Sequence, residues 1–153
     1  NITGSNDAPI ISIVGGDVTG DITEGTTLTD SGSLTFTDVD LNDTPTATEA
    51  TLSVTTTRVG GLTAAQQTAI ENAFSISADA GNTNNGTINW DYNIAEADLD
   101  FLAAGETVTA VFTITVADGN TGNDTQDVTI NITVSNDAPI ISIVGGDVTG
   151  DRT

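Results

Sequence analysis

The chain has no cysteine, histidine, methionine or lysine, and its only cationic side chains are Arg58 and Arg152. Each absence excludes something. Without Cys no disulfide can staple the fold, and without Cys or His the ligands that zinc, copper and iron favour are missing. Two arginines against 22 Asp and Glu cannot neutralise phosphates, which excludes nucleic acid and anionic membrane surfaces as partners. No apolar run reaches the length of a membrane helix, about 18 residues. No signal peptide is present, which in a piece cut from a longer chain says nothing of the parent.

What is present is acid. The formal net charge is −20 over 153 residues, so the folded chain repels itself unless cations are taken up. With only oxygen donors available, the cation that fits is Ca²⁺, which takes six to eight oxygens at about 2.3–2.6 Å. The length suits one domain with a real core, and the 37% of apolar residues fall into patterned segments, which argues against disorder.

The chain also says one thing twice. Residues 1–23 and 131–153 match at 21 of 23 positions, and only Gly4/Val134 and Ile22/Arg152 differ. An offset of 130 residues is too long for a solenoid unit and is the size of a domain. The expected organisation is a remnant of a preceding repeat at 1–5, one complete repeat at 6–137, and the start of a following repeat at 138–153.

Short runs rich in Thr, Val and Ile alternate in polarity at 33–38, 50–59, 86–94, 106–119 and 127–135. Clusters of Gly, Asn and Asp separate them. This pattern predicts an all-β, Ig-like antiparallel sandwich. LTAAQQTAIENAF (62–74) breaks it with apolar residues at helical spacing and Thr63 as N-cap, and a second helical turn is expected near 95–105. Trp90, Tyr92, Phe101 and Phe112 are expected to anchor the core.

The candidate ligands are acidic clusters at strand ends. TDVDLND supplies Asp38, Asp40, Asn42 and Asp43; VADGNTGND supplies Asp118, Asn120, Asn123 and Asp124; SNDAP supplies Asn6 and Asp7, and again Asn136 and Asp137. Asp-x-Asp at a strand end turns both carboxylates into one loop, although Asx-turns explain any single cluster as well. DVDLNDTPTATE does not make an EF-hand: Asp43 stands where the turn needs glycine, and the flanks are strand-like. GGDVTGD (15–21) has no tandem copies, which excludes a calcium-binding β-helix, and its glycines mark a bend or bulge.

NDAP, VTGDITEG, LTFTDVD, LAAGETVTAVFTITVADG and a second NDAP together resemble the VCBS repeat of large RTX-type bacterial adhesins, a family that is itself cadherin-like. The separation of Asp7 from Asp38, 31 residues, fits the cadherin spacing of linker and Asp-x-Asp. The resemblance implies one calcium site at the N-terminal junction, formed by Asn6, Asp7, Asp38, Asp40 and Asp118. It implies another at the C-terminal junction, from Glu24, Asp100, Asn136 and Asp137. The cadherin Leu-Asp-Arg-Glu element is only half present as Leu99-Asp100, which leaves Glu106 as a substitute. The segment around 60–75 departs from a minimal cadherin repeat.

Function is expected to follow from this. The leading reading is a calcium-stiffened spacer of an extracellular adhesin supporting attachment or biofilm formation. It would be a monomer whose partners are neighbouring repeats of the same polypeptide. The second is a calcium-dependent glycan- or protein-binding module using Trp90 and Tyr92. An enzyme with paired carboxylates is the third, disfavoured by the absence of His, Cys and Lys and by the placing of the acids at domain ends.

Overall fold

A computed structural model describes residues 1–13 and 17–135. Eight strands form two four-stranded sheets packed face to face. The strands are β1 (Ile10–Ser12), β2 (Thr19–Glu24), β3 (Thr29–Thr37), β4 (Thr46–Thr56), β5 (Phe74–Ala78), β6 (Gly86–Asn93), β7 (Thr107–Ala117) and β8 (Asn123–Val134). One sheet runs β1-β3-β6-β5 and the other β2-β8-β7-β4. Helix α1 (Ala64–Asn72) lies between β4 and β5, and a 3₁₀ turn (Glu96–Asp98) follows β6. The Ig-like sandwich expected from the alternation is therefore the fold.

The alternation places each sheet on the core. Along β7 every second residue is buried (Val108, Ala110, Phe112, Ile114 and Val116), and β8 answers with Val128, Ile130 and Ile132. From the other sheet come Leu34, Phe36, Ile88, Trp90 and Tyr92. Phe74 and Phe112 stack across the layer with centroids 4.2 Å apart. Trp90, Tyr92 and Phe112 are core anchors as expected, whereas Phe101 is only half-buried and lies 5.5 Å beneath the Arg58 guanidinium.

One strand pair is not antiparallel. β2 runs parallel to β8, from Thr19 opposite Thr129 to Glu24 opposite Val134. The cause is that the first edge is shared: β1 pairs with β3 in one sheet, and the chain then crosses to pair β2 with β8 in the other. Trp90 pins this crossing, its indole N–H donating to Asp17 O at 2.6 Å. Glycine is needed on both sides. A Cβ at Gly32 would sit 2.6 Å from Asp17 O, and one at Gly20 would sit 2.6 Å from Ile130 Cδ1. The glycines of GGDVTGD thus include one, Gly20, that admits a close core approach.

Strands β1, β2 and β5 were not legible as alternating runs. β5 begins at Phe74, the last residue of the segment 62–74 that breaks the strand pattern. α1 has the predicted Thr63 cap, completed as a capping box with Gln66, and stops at Ala73. Phe74 is drawn into the core opposite Tyr92, which ends the helix. Tyr92 Oη also donates to Ile70 O at 2.7 Å, tying α1 to the sandwich. Among the described residues no helix is long and apolar enough to cross a membrane.

Candidate metal centre

β3 and β7 end side by side at one pole of the sandwich, and their exit loops carry the acids. Asp38 follows β3 and is 2% exposed, and Asp118 follows β7 and is 7% exposed. Asp38 Oδ1 accepts from the Asp40 N–H at 2.9 Å, an Asx-turn that folds Asp40 back beside it. Asp43 N donates to Asp40 O at 2.9 Å and closes the loop. Carboxylate oxygens of Asp38, Asp40 and Asp43 then lie within 4.8 Å of one another.

The linker residues come to the same place. Asn6 Nδ2 donates to Asp118 Oδ2 and to Asn120 O, both at 2.9 Å. The Asp7 N–H donates to Asp40 Oδ2 at 2.7 Å. Asn120 Nδ2 links the two loops by donating to Asp43 Oδ1 at 3.0 Å. All five residues nominated for the N-terminal junction, Asn6, Asp7, Asp38, Asp40 and Asp118, therefore converge across more than 110 residues of sequence. Gly122 makes this approach available, since a Cβ there would press on Ala8 Cα at 2.8 Å.

Hydrogen bonds account for part of this acid and leave part over. Asp118 Oδ1 accepts from the N–H groups of Asn120 (2.7 Å) and Gly122 (3.0 Å). The Asn6 amide, followed by these backbone donors, holds the Asp118 carboxyl below the usual range against the opposing effect of burial. Asp43 goes the other way. Burial, then the charges of Asp38, Asp118 and Asp40, push its carboxyl up. Asp38 Oδ2 and Asp43 Oδ2 are buried and accept no hydrogen bond. Buried carboxylate oxygens without donors are costly unless something positive faces them.

At the opposite pole, carboxylate oxygens of Glu24, Glu96 and Asp100 lie within 4.8 Å of one another. Glu24 and Asp100 were nominated and are brought together. Glu96 was missed, because only the register of β2 against the 3₁₀ turn reveals that it faces them. Its Oε2 accepts from the Gly25 N–H at 3.2 Å. Glu106 is engaged elsewhere: its Oε1 accepts from Ala103 N at 2.8 Å and lies 3.7 Å from Arg58 Nε. Asn136 and Asp137 lie outside the described residues.

Asn84 and Asn85 also reach the Asp38 pole. Asn84 Nδ2 donates to Asp38 O at 2.6 Å and Asn85 Oδ1 accepts from Asp38 N at 3.1 Å, so the β5–β6 loop clamps the backbone of the central acid. The string NTNNG reads as ordinary turn chemistry, and nothing local in it points to Asp38.

No family model matches the chain, and no curated protein matches it in sequence. Among solved structures it is similar to the Ig1-2 module of the Drosophila receptor protein tyrosine phosphatase DLAR. Identity there is 12%, coverage 87% of this chain and 53% of that one, and the TM-score 0.45. The chain thus spans about half the length of that module. It is similar to PapD-like domain 7 of human CEP192 at 9% identity, covering 90% and 92% of the two chains, with TM-score 0.48. It is also similar to AggA, the major subunit of aggregative adherence fimbriae type I from Escherichia coli. There the identity is 13%, the coverage 88% and 100%, and the TM-score 0.42. These are Ig-like, chaperone-like and fimbrial β-sandwiches, and likeness at this level carries no functional information.

Proposed function

We propose that this chain is a calcium-stabilised spacer repeat of a large extracellular bacterial adhesin of the VCBS and RTX type, supporting attachment or biofilm formation. The observation that carries the calcium reading is the pair of buried, donor-less oxygens, Asp38 Oδ2 and Asp43 Oδ2, inside a group of acids that also holds the linker. A divalent cation there would face Asp38, Asp40, Asp43 and Asp118, with Asn6 and Asp7 beside them, and would offset their mutual repulsion. The donor set is all oxygen and flexible enough for Ca²⁺.

The mechanical consequence follows from where the ligands sit. Asn6 and Asp7 belong to the linker, whereas Asp38 and Asp118 belong to the rigid ends of β3 and β7. A cation shared between them would fix the angle at which the chain enters the domain. Without it, like charges at the pole repel and the linker is held by hydrogen bonds alone. Calcium is plentiful outside cells and scarce inside, so stiffening would be confined to the exported protein. The second set, Glu24, Glu96 and Asp100, would do the same at the exit, with Asn136 and Asp137.

A non-enzymatic role fits the placing of these acids at the poles. A glycan-stacking role for Trp90 and Tyr92 does not fit, since both rings are sealed in the core. The test is a thermal melt in calcium and in chelator. A site held at about 100 Kd of free ion adds roughly 2.7 kcal/mol, so the melting temperature should fall by about 10 °C on chelation. Superimposable curves would remove the calcium reading. Small-angle scattering of a two-repeat chain should show elongation that rises with calcium.

A further inference from the structure

We propose that the exposed apolar patch at the Asp38 pole, formed by Ile10, Val39 and Leu41, is a seat for the opposite pole of the preceding repeat, whose Val59 covers it. This rests on the tandem-repeat reading and does not require the calcium site.

The loop after β3 is arranged inside out. Asp38 is buried and Asp40 half-buried, whereas Val39 and Leu41 are 71% and 81% exposed. A free surface favours the reverse. The cause is local: Asp38 Oδ1 accepts from the Asp40 N–H, so the acids fold into their cluster and the apolar residues beside them are left outside. Ile10 joins them, exposed and opposite Thr37 in the ladder. A hollow of about 510 Å³ lies between Asp7, Ala8, Ile10, Thr37 and Val39. Large apolar side chains gathered at one pole of so acidic a chain mark a contact surface.

The spacing of the repeat says what covers it. β8 is paired as far as Val134, opposite Glu24. The string NIT-x-SND stands there at 131–137 and also at 1–7, where Asn6 is anchored on Asp118 and Asn120. Where one repeat follows another, two residue steps separate the last paired residue from the first anchored one, at most about 7 Å. The Glu24 pole of one repeat is thereby held against the Asp38 pole of the next, with little room for another molecule.

Among the described residues, Val59 is the one large apolar side chain that the Glu24 pole exposes, and it is 94% exposed. It sits in the turn 58–61, where Gly61 N donates to Arg58 O and the Arg58 guanidinium donates to Gly61 O, both at 3.1 Å. β4, which leads into this turn, stands two strands from β8, about 10 Å to the side. Beyond the joint, Ile10 is four residues from Asn6, at most about 14 Å. The two surfaces are within reach, and the contact is head-to-tail, as an open array requires. The turn also carries Arg58, the one arginine among the described residues, toward a pole that holds Asp7, Asp38, Asp40 and Asp43.

The test fuses two full chains so that Ser135 of the first is followed by Asn6 of the second, which keeps the joint as the sequence writes it. The chain has no cysteine, so Val59→Cys in the first copy and Leu41→Cys in the second report their approach by disulfide formation. Thr26→Cys, exposed in the turn between β2 and β3 at the same pole as Val59, replaces Val59→Cys as the control. The Val59 pair should close about tenfold faster than the Thr26 pair. Equal rates in calcium and in chelator alike, or disulfides between molecules instead of within one, would overturn the proposal. Val39→Ser with Leu41→Ser in the second copy should lower the melting temperature of the fused chain by about 3 °C. In the single chain the same pair should change nothing, since there both side chains already face water. Equal shifts in the two chains would overturn the proposal, because the residues would then serve the fold alone. A single-chain melt that ignores calcium while the Val59 preference persists would remove the calcium reading and leave the seat. Fused copies that fail to fold would overturn the tandem arrangement and the seat with it.

Discussion

The two poles of the sandwich carry the same chemistry in different settings. At the Asp38 pole the acids sit on loops folded inward: Asp38 and Asp118 are nearly buried, and two carboxylate oxygens lack donors. At the Glu24 pole the acids sit on a strand end and a 3₁₀ turn, with Glu24 and Glu96 half-buried and Asp100 exposed. Asn6, Asp7 and Ala8 lie against the first cluster, an approach that Gly122 admits. Acid at an exposed strand end is cheap, because water and salt screen it within about 10 Å. Acid enclosed by a linker is not, and it makes the first pole the one most dependent on a counter-ion.

The comparison can be broken by removing charge at each pole without removing shape. Asp38→Asn keeps the acceptor for Asp40 N and should abolish most of the calcium-linked rise in melting temperature. In chelator it should melt no lower than wild type, because repulsion is relieved. Glu96→Gln keeps an acceptor for Gly25 N and should lose a smaller part of the calcium response. Equal losses in the two variants, measured by calorimetry with and without calcium, would mean the poles are equivalent.

Acidity sharpens the same contrast within the first pole. The Asp43 carboxyl is pushed above its usual range, so its contribution to stability is complete at low pH and is lost as pH rises through the raised value. The Asp118 carboxyl is pulled below its range, so its contribution persists down to more acid pH and is lost as pH falls through the lowered value. In chelator the wild-type melting temperature should therefore decline as pH climbs from the acid range toward neutrality. Asp43→Asn should flatten that decline. Saturating calcium should flatten it too.

The smallest effect is expected at the linker. Asn6→Ala removes the donor to Asp118 Oδ2 and should shift the acid limb of the stability curve to higher pH, with little change near neutrality. An unchanged acid limb would mean that the backbone N–H groups of Asn120 and Gly122 suffice to hold Asp118.

Much of the first pole was legible, because Asp-x-Asp after one strand and Ala-Asp-Gly after another mark strand ends, and strand ends of one sandwich meet at its poles. Glu96 and Asn84 were not legible. Their roles depend on which loops lie against which, and an acid in AEAD or an amide in NTNNG looks like any solvated turn. The short strands β1 and β2 escaped for a related reason. Each is held by a different sheet, and the segment joining them has no single period.

By itself the sequence determined the sandwich and its inward faces, since a period of two in Val, Ile and Phe leaves few other ways to bury them. It determined the helix start through Thr63 and Gln66, and it offers no thiol or imidazole to a metal. Tertiary structure decided the rest, and the doubled phrase shows why. Asn-Ile-Thr occurs at 1–3 and at 131–133; Ile132 is 0% exposed and Ile2 is 102% exposed. The residues are the same, but only the second set has β2 on one side and β7 on the other. Burial belongs to the neighbours that a segment finds, and no residue carries it alone.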